Sequence, residues 1–432
     1  MRPPSRRAVL RLAGLALAGT AGCTSRGGDA SSPTDSPTRP PTATPTESPP
    51  DTETYGPTDG PDERLTRTPP GDPPLNPNGS WPQYRFDAGN TGYAPDTAGL
   101  RDATGHWALD AGHAPSVAEG TLFNVRTRED PATFDRRDPA TAELRSRTEL
   151  VSYAVNSPPA VAGDRAFVTT FVEVFCLATG RDEVLWRGPE MDGIHGAPTV
   201  ADDALLVNSG GFSGARARLA AFDFDGTPRW SYTAAADSHS TPAVGDGAAF
   251  VATGEDVHAV ELDTGAERFR TGVVGDRWAN VVVAGETAFV AGRADGGDGP
   301  DRLYALDAAD GSVRWQADTG RWDGPPVVAD GVVYLLDADE TLVALDVDDG
   351  AEVRSFGRRA VPLARTGDVL YATSAGTLYA YDATAGDGLW SYGTPEVRVA
   401  DTVNRGIDGI TPVDGAVYVD AADGLHGIGP AE

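Results

Sequence analysis

Eight polar or aromatic residues stand at equivalent points of a recurring sequence unit, and together they form a cationic and aromatic set. Three further arginines, Arg277, Arg321 and Arg358, lie beside members of this set. Such a cluster could hold an anion, a ligand that bears a carboxylate, or an acidic loop of a partner protein. The same side chains could instead pack inside the fold and form hydrogen bonds with loop backbone. The eight residues are His113, Asn156, His195, His239, Trp278, Asp323, Arg359 and, less regularly, Arg405.

The elements that would position these residues are short strands in a unit of about 40 residues. The stretch Thr241–Arg270 contains Pro-x-Val, a Gly or Asp turn, an apolar run, Asp-x-x-x-Gly and then an aromatic residue. Turn residues cut the unit into four strands, which is typical of a β-propeller blade. We therefore expect an all-β, eight-bladed propeller of four-stranded antiparallel blades, with the candidate residues around one mouth of its central channel. The first strands are anchored at Pro115, Pro159, Pro198, Pro242, Val281, Pro326, Pro362 and Pro412.

The two ends of the repeat array predict how the ring closes. The last unit, which begins near Pro412, has room for only three strands. The segment Thr104–Gly112 precedes the first unit and resembles an isolated fourth strand, with Trp107 near the aromatic position. An unpaired strand edge invites aggregation, so we expect this segment to pair with the last unit and close the ring.

The composition limits the classes of partner. The formal net charge is −29, and all 35 basic residues are arginine. An acidic surface keeps a protein soluble where salt screens charge, so the composition indicates a halophilic protein. An acidic surface for a basic partner is the other interpretation. Such a negative chain argues against nucleic-acid binding.

The N-terminal residues 1–23 have the pattern of an export signal and lie outside the fold. Arg6 and Arg7 precede an apolar run, Leu12–Ala18, which is typical of the twin-arginine route. The run is too short to span a bilayer comfortably. It leads to Cys23, which stands where a lipoprotein is cleaved and lipidated, although Thr20 replaces the usual Leu. We expect a lipid-anchored protein on the outer face of the membrane; a secreted protein with a chance cysteine is the alternative.

Residues 24–78 form a predicted tether, and the propeller is assigned to residues 79–432. The tether is rich in Ser, Thr, Pro, Asp and Gly and has almost no large apolar residues, so we expect it to be disordered. The second cysteine, Cys176, lies in an apolar strand and is interpreted as a core residue. The acidic stretch Asp295–Asp301 lacks the spacing of a calcium loop and is interpreted as a hairpin loop.

A second motif, Ala-x-Asp-x-x-x-Gly-x-x-x-Trp, marks the third and fourth strands. Ala221–Trp230, Ala305–Trp315 and Ala380–Trp390 fit it, with Phe269 and Arg354 at the aromatic position of two looser copies. With the segment Trp81–Pro95, these motifs resemble the quinoprotein-like eight-bladed propellers, a family that includes pyrroloquinoline quinone (PQQ) dehydrogenases and the lipoprotein BamB. The resemblance spans about Trp81 to Gly429. It implies that the aromatic residue docks on the neighbouring blade, a structural role for Trp186, Trp230, Trp315 and Trp390.

The resemblance leaves two functions open. A PQQ dehydrogenase of this family would need Ca²⁺ ligands from a Glu, an Asn and an Asp, a catalytic Asp and usually adjacent cysteines. The chain has no adjacent cysteines, and no such set maps onto it. A binding or assembly scaffold needs only a rigid ring with variable loops. We therefore expect a non-catalytic scaffold that binds a cell-surface protein or glycan, with a PQQ- and Ca²⁺-dependent dehydrogenase as the alternative.

Overall fold

The computed structural model describes residues 74–109, 114–126, 132–150, 157–191, 193–210, 216–234, 236–254, 256–273, 279–293, 301–320, 324–399, 402–404 and 406–431. All of them fall within one compact unit, Gly56–Glu432. The predicted export signal, Cys23 and all but the last residues of the predicted tether lie outside the described residues. Within the described ranges, no helix has the length and apolar character needed to cross a membrane.

The described strands form eight four-stranded antiparallel sheets arranged as a ring, which confirms the eight-bladed propeller. In blades 1 to 7 the strands follow each other in chain order from the channel outward. The strands of blades 1 to 4 are Ser116–Ala118, Thr121–Arg126, Thr133–Arg137 and Leu144–Glu149; Ala160–Ala162, Arg165–Thr169, Val174–Ala178 and Val184–Arg187; Thr199–Ala201, Ala204–Ser209, Arg218–Asp223 and Pro228–Thr233; and Ala243–Gly245, Ala248–Ala252, Val257–Glu261 and Glu267–Thr271.

The second half of the ring has the same layout, with three additional short strands. The strands of blades 5 to 8 are Val282–Ala284, Thr287–Arg293, Asp301–Asp307 and Val313–Asp318; Val327–Ala329, Val332–Leu336, Leu342–Asp346 and Glu352–Ser355; Val361–Thr366, Val369–Ser374, Thr377–Asp382 and Gly388–Gly393; and Ile407–Val413, Ala416–Ala421, Gly424–Gly429 and Thr104–Leu109. Tyr93–Ala94 pairs in parallel with Val361–Thr366, and Val397–Val399 forms a hairpin with Thr402–Asn404.

Blade 8 closes the ring in the way that the chain ends predict. Thr104–Leu109 pairs antiparallel with Gly424–Gly429 as the fourth strand, so the first and last parts of the propeller share one sheet. Trp107 is 2% exposed and lies against the Tyr418 ring at a centroid distance of 5.7 Å. The closing strand therefore covers the outer edge of Gly424–Gly429 and joins the two ends of the repeat array in one blade.

Burial follows the position of a strand within its blade. Second and third strands are buried on both faces, as in Ala248–Ala252 of blade 4, because each lies between two neighbouring blades. Glu352–Ser355, the fourth strand of blade 6, is mostly exposed, because it lies at the outer rim of the ring. The apolar residues therefore fill the gaps between blades, and no single blade could bury its faces alone.

The turn after each first strand explains one part of the repeat. Asp246 and Asp330 have φ values of 49° and 50°, and the glycines that follow them have φ values of 72° and 76°. Two successive residues with positive φ fit the type I′ hairpin turn, which favours Asp-Gly. The turn residues thus fix the register of the first two strands.

One alignment in the sequence prediction was wrong. Pro412 pairs with Val417 in blade 8, the ladder position that Val117 holds opposite Leu122 in blade 1. Ile410, and not Pro412, is therefore equivalent to Pro115. The first strand of blade 8 has seven residues where that of blade 1 has three, and a shift of two residues leaves the same side chains facing the same way, so the pattern did not reveal it.

Candidate functional site

One end of the channel is filled by residues 75–97, which we name the strap. Leu75 is buried, and Asn78 bridges to Asp414 of blade 8, so contacts with the ring begin slightly before the boundary at residue 79. From blade 8 the strap visits blades 1 to 7 in order. At Tyr93–Ala94 it becomes a short strand of blade 7, and the chain then continues to the closing strand.

The strap accepts a hydrogen bond from the same backbone position of seven blades. In blade 1, the N–H of Val117 donates to the carbonyl of Trp81 over 2.8–2.9 Å in a reciprocal pair. In blade 3 the acceptor is a side chain, the Oε1 atom of Gln83, at 2.8 Å from the nitrogen of Val200. The other five donors and acceptors are Val161 to Pro82, Val244 to Ala88, Val283 to Gly89, Val328 to Thr91 and Arg365 to Gly92.

The eighth blade has no donor at this position. Pro412 occupies it, as the ladder register shows, and proline carries no backbone N–H. Unpaired N–H groups on the inner edge of a ring would be costly once shielded from water. The strap therefore satisfies the inner edge wherever a donor exists.

The other end of the channel holds a cavity of about 480 Å³, which we name the cup. Trp81, Tyr84 and Arg85 of the strap line it from one side. Its walls come from the beginnings of the inner strands of blades 1, 2, 6, 7 and 8. This volume lies in the range of sites for small ligands. The wall residues are Ala114, Pro115, Pro158, Gly324, Pro325, Val361, Pro362, Leu363, Thr373, Ile407, Asp408, Gly409, Ile410, Thr411 and Asp420.

Among the described residues that line the cup, Arg85 is the cationic one, and backbone carbonyls hold it in place. Its Nε atom donates to the Asn90 carbonyl at 2.9 Å, and Nη2 donates to the Pro326 carbonyl at 2.5 Å. Gly92, with φ of 71°, lies beside the guanidinium, since a Cβ atom there would be 2.8 Å from Nη2. Burial lowers the pKa of Arg85, although Tyr84 and Asp87 act in the opposite direction. The guanidinium is therefore fixed at the cup before any ligand arrives.

Two carboxylates lie on the blade 8 side of the cup. Asp420 is 7% exposed, and its Oδ2 atom accepts a hydrogen bond from the Ala114 N–H at 2.8 Å. Asp408 is exposed and stands on the inner strand beside Gly409, which pairs with Asp420 in the ladder. Within the described residues, no ion pair joins Arg85 to either aspartate. Among the described lining residues, Arg85 thus lies on the strap side of the cup and the two carboxylates lie on the blade 8 side.

The structure describes three of the eight residues that the sequence proposed for the channel mouth. His195 and His239, from neighbouring blades, stack with a centroid distance of 3.8 Å and an interplanar angle of 11°. The edge of Phe171 also meets the His195 ring, at 5.2 Å. Arg359 is 46% exposed and forms an ion pair with Glu340 at 2.8 Å. The structure thus brings two of the three together, and none of the three lines the cup.

The other members of the set lie outside the described residues. They are His113, Asn156, Trp278, Asp323 and Arg405, together with the neighbouring Arg277 and Arg321.

Sequence reasoning did not assign the cup residues. The segment Trp81–Pro95 was noted for its resemblance alone, since it lacks the repeat pattern and precedes the first unit. Its Gly-Asn and Thr-Gly pairs, which include Gly89 and Asn90, indicated a segment full of turns. Such a dense group of turn residues ahead of a closed repeat array was the available indication that the segment follows the ring.

The described cup residues do not fit PQQ with Ca²⁺. The part of the lining that the structure describes offers Asp408 and Asp420 as carboxylates, and contains no Glu or Asn. Asp420 is already bound to backbone, and the described residues contain no cluster of three side chains suited to a metal. The Glu, Asn and Asp set that the resemblance requires is therefore not found in this lining, so we assign no quinone chemistry to it.

The fold and the cup define a class: an eight-bladed propeller whose channel is filled at one end and holds a ligand-sized cavity at the other. A protein-family model described as "Outer membrane protein assembly factor BamB" matches residues 107–280 and 253–406, more than half of the chain. The chain belongs to this family.

Individual relatives share only part of their length with this chain. The outer membrane protein assembly factor BamB of Yersinia pestis is 30% identical over 188 residues, which cover 39% of this chain and 47% of that protein. The serine/threonine-protein kinase AfsK of Streptomyces coelicolor is 30% identical over 191 residues, which cover 44% of this chain and 17% of the kinase. The chain therefore spans less than half the length of either curated relative.

A solved structure shows the same fold at low sequence identity. The quinohemoprotein alcohol dehydrogenase of Comamonas testosteroni superposes with a TM-score of 0.59 and 14% identity, over 81% of this chain and 77% of that one. At this identity the likeness establishes the fold alone.

Proposed function

We propose that this chain is an exported, lipid-anchored binding scaffold that acts without catalysis on the outer face of the cell membrane. The observation that carries the proposal is the cup, a ligand-sized cavity at one mouth of a ring whose other end is filled by the strap. Membership of the BamB family supports the scaffold role, since the matching model bears the name of an assembly factor. The strap and the closed ring supply the rigid framework that a binding site needs.

The charged groups of the cup are suited to positioning a ligand. Arg85 is held by the carbonyls of Asn90 and Pro326, and Asp420 is held by the N–H of Ala114. The backbone holds the Arg85 guanidinium in one geometry, which lowers the entropy lost when a ligand binds to it. The arrangement therefore favours recognition.

Export and anchoring are supported by the N-terminal sequence. The Arg6–Arg7 pair, the short apolar run and Cys23 form one continuous pattern. We expect Cys23→Ala to release the protein into the medium, while Arg6→Lys with Arg7→Lys retains it inside the cell. Fractionation of cells that produce the full chain measures both. A C23A protein that stays with the membrane fraction would contradict the lipid anchor.

Partner binding is tested by site-specific photo-cross-linking on intact cells. A benzophenone amino acid at Thr373, a cup residue, is compared with the same group at Val313, which is 47% exposed on the outer strand of blade 5. We expect an adduct of defined mass from position 373 and none of that mass from position 313. Absence of this adduct from position 373, or its appearance from both positions, would count against a partner at the cup.

The dehydrogenase alternative is tested by direct titration. Its support is the shared fold with the alcohol dehydrogenase, and the described lining argues against it. We expect calorimetry of PQQ with the full chain to give no heat of binding, with or without Ca²⁺. Micromolar binding that requires Ca²⁺ would reverse this conclusion and would justify a screen of alcohol and sugar substrates.

A further inference from the structure

A three-residue motif, Asn78-Gly79-Ser80, stands near the start of the strap, just ahead of Trp81. An Asn followed two residues later by Ser or Thr, with any residue except Pro between them, is the acceptor sequence for N-linked glycans. Among the asparagines of the chain, Asn78 alone meets this rule. Because so short a motif also arises by chance, the surroundings of Asn78 decide whether it can be modified.

The structure leaves all three residues of the motif exposed. The side-chain amide of Asn78 forms no hydrogen bond with the described part of the chain. Gly79 has a φ value of 84°, and a Cβ atom placed there would meet nothing within 4 Å. A transferase must reach both the amide of the asparagine and the hydroxyl of the serine, and an exposed turn gives it that access.

The backbone of Asn78 is bound to the ring, whereas its side chain is not needed there. Its N–H donates to the Asp414 carbonyl at 2.8 Å, in an isolated antiparallel bridge. Asn90 and Asn208, by contrast, are buried and donate from their side-chain amides to carbonyls of the ring. The amide of Asn78 is therefore available for modification without loss of a contact that supports the fold.

Asn78 lies at the opposite end of an inner strand from the cup. Its partner Asp414 directly follows Ile407–Val413, the first strand of blade 8, whereas Asp408 near the beginning of that strand lines the cup. Six residues of strand span about 20 Å. A glycan on Asn78 would thus begin where the predicted tether joins the ring, and binding at the cup is compatible with it.

We propose that the exported chain carries an N-linked glycan on the Nδ2 atom of Asn78. This inference rests on the proposed function in one respect, export, because the donor is a glycan held by a membrane lipid through a phosphate ester on the outer face. In the transfer, the bond from the anomeric carbon to the phosphate oxygen breaks, and a bond from that carbon to Nδ2 forms. The lipid phosphate leaves with the bonding electrons, and the amide releases one proton to solvent.

Mass spectrometry of one peptide tests the site. Trypsin cuts after arginine, and Arg67 and Arg85 flank the motif, so a single peptide of residues 68–85 contains it. In protein isolated from the cells that naturally produce it, we expect this peptide to carry the added mass of a glycan. Fragmentation that keeps the sugar attached should place that mass on Asn78. Exported protein with this peptide unmodified, or with the glycan on another residue of it, would overturn the proposal.

Matched variants separate the motif from its neighbours. Asn78→Gln and Ser80→Ala should each abolish the added mass, whereas Ser80→Thr should keep it. Asn76→Gln should also keep it, because Asn76 is exposed in the same peptide but lies outside the acceptor sequence. S80A is the sharpest of these variants, since it removes only a hydroxyl and leaves Asn78 in place. An S80A protein that retains the glycan would refute the assignment.

The glycan site and the proposed export fail in different ways. Cell fractionation reports where the chain is, and the peptide of residues 68–85 reports whether Asn78 is modified. Exported protein without the glycan would reject the site and leave the scaffold role standing. Protein that remains inside the cell but carries the glycan would sustain the site and reject export, and protein that remains inside without it would reject both. In the variant Arg6→Lys with Arg7→Lys, we expect the added mass to be lost.

Discussion

The inner edge of the ring and the contacts between the outer strands of neighbouring blades, which we name the outer seams, both provide hydrogen-bond partners for backbone groups, but they do so in opposite ways. Both present one backbone group per blade at an equivalent position, and both must provide it with a partner. At the inner edge the groups are N–H donors, and one continuous strap accepts from all seven that exist. In the outer seams the groups are carbonyls in the turn after the third strand, except in blade 8, where the acceptor is the carbonyl of Leu100, ahead of the closing strand. Each carbonyl receives a side chain of the preceding blade.

The donors in the outer seams vary more than the repeat motif predicts. Tryptophan Nε1 is the donor in four of the seams that the structure describes, and arginine or tyrosine takes its place in the others. The tryptophan pairs are Trp186 to Phe224, Trp230 to Leu262, Trp315 to Val347 and Trp390 to Leu100. The remaining pairs are Arg136 to Thr179, Arg268 to Ala308, Arg354 to Ala385 and Tyr418 to Pro139.

This difference shows which part of the fold depends on the local sequence of each blade. An outer seam needs one long donor and, in most blades, a glycine that leaves room for it, as where Gly265 lies against the Trp230 ring. Each blade can supply this from its own repeat. The inner edge needs eight successive placements of one chain, and these depend on the finished ring.

The largest expected loss of stability is at the closing strand, where the chain passes from the strap at the inner edge to the outer strand of blade 8. Trp107 lies on the closing strand just after the strap, and it is 2% exposed. We expect Trp107→Ala to lower the free energy of unfolding by about 4 kcal/mol through lost burial and a cavity. Trp315→Ala, in an ordinary half-buried seam, should lower it by clearly less. Guanidinium denaturation of both variants measures the two losses in free energy of unfolding. Equal losses would show that the burial of Trp107 contributes no more to ring closure than an ordinary seam does.

The strap itself is tested by adding one methyl group. A Cβ atom at Gly89 would collide with the carbonyl oxygen of Val283, and the Gly89 carbonyl accepts the Val283 N–H at 2.8 Å. We expect Gly89→Ala to lower the free energy of unfolding by about 1–3 kcal/mol. Gly180 has open space around it and an ordinary φ, so Gly180→Ala is the matched control. A silent G89A variant would mean that the strap can detach from blade 5 without loss.

An outer seam is tested by removing one donor. Trp230 donates from Nε1 to the Leu262 carbonyl at 2.7 Å. Trp230→Phe keeps an aromatic ring but removes this bond, so we expect a loss of about 1 kcal/mol. The next seam has Phe269 naturally, with Arg268 as donor at 3.3 Å. If W230F left the denaturation midpoint unchanged, the carbonyl partner would not matter in that seam.

The smallest expected effect is a pH dependence in the seam between blades 3 and 4. His258 is fully buried, and its Nδ1 atom lies 2.9 Å from the Tyr232 hydroxyl, with Glu267, Asp256 and Arg270 nearby. Burial lowers the pKa of His258 below its ordinary value of about 6.5, against the opposing pull of the two carboxylates.

The direction of that dependence follows from the unfolded chain. As the pH is lowered below about 6.5, the histidine of the unfolded chain takes up a proton before that of the folded chain does. The free energy of unfolding therefore decreases as the pH is lowered, until the pH reaches the pKa of the folded state. We expect His258→Gln to lose this part of the slope between pH 6.5 and 5, as measured by denaturation at several pH values. Identical slopes for both proteins would show that this histidine does not contribute.

Much of the ring could be predicted from the residues themselves. Asp-Gly turns, Pro-x-Val starts and aromatic residues after Asp-x-x-x-Gly are local patterns, and they predicted eight blades and closure by the segment Thr104–Gly112, of which Thr104–Leu109 forms the closing strand. The alignment of blade 8 failed because a shift by two residues keeps every side chain on its face. The candidate mouth residues were chosen by chain position, which does not say whether a side chain faces the channel. Arg359 turns instead to Glu340.

The sequence by itself determined the architecture of this protein, because a repeat that cannot bury its own faces must stack into a ring, and because turn chemistry acts within a few residues. Only the tertiary structure decided the binding end of the channel. The cup joins Arg85 to blade 8 across more than 300 residues of chain, and the strap acquires its partners only when all the blades are in place. Contacts between residues so far apart leave no periodic pattern in the sequence, since each is set by the geometry of the closed ring.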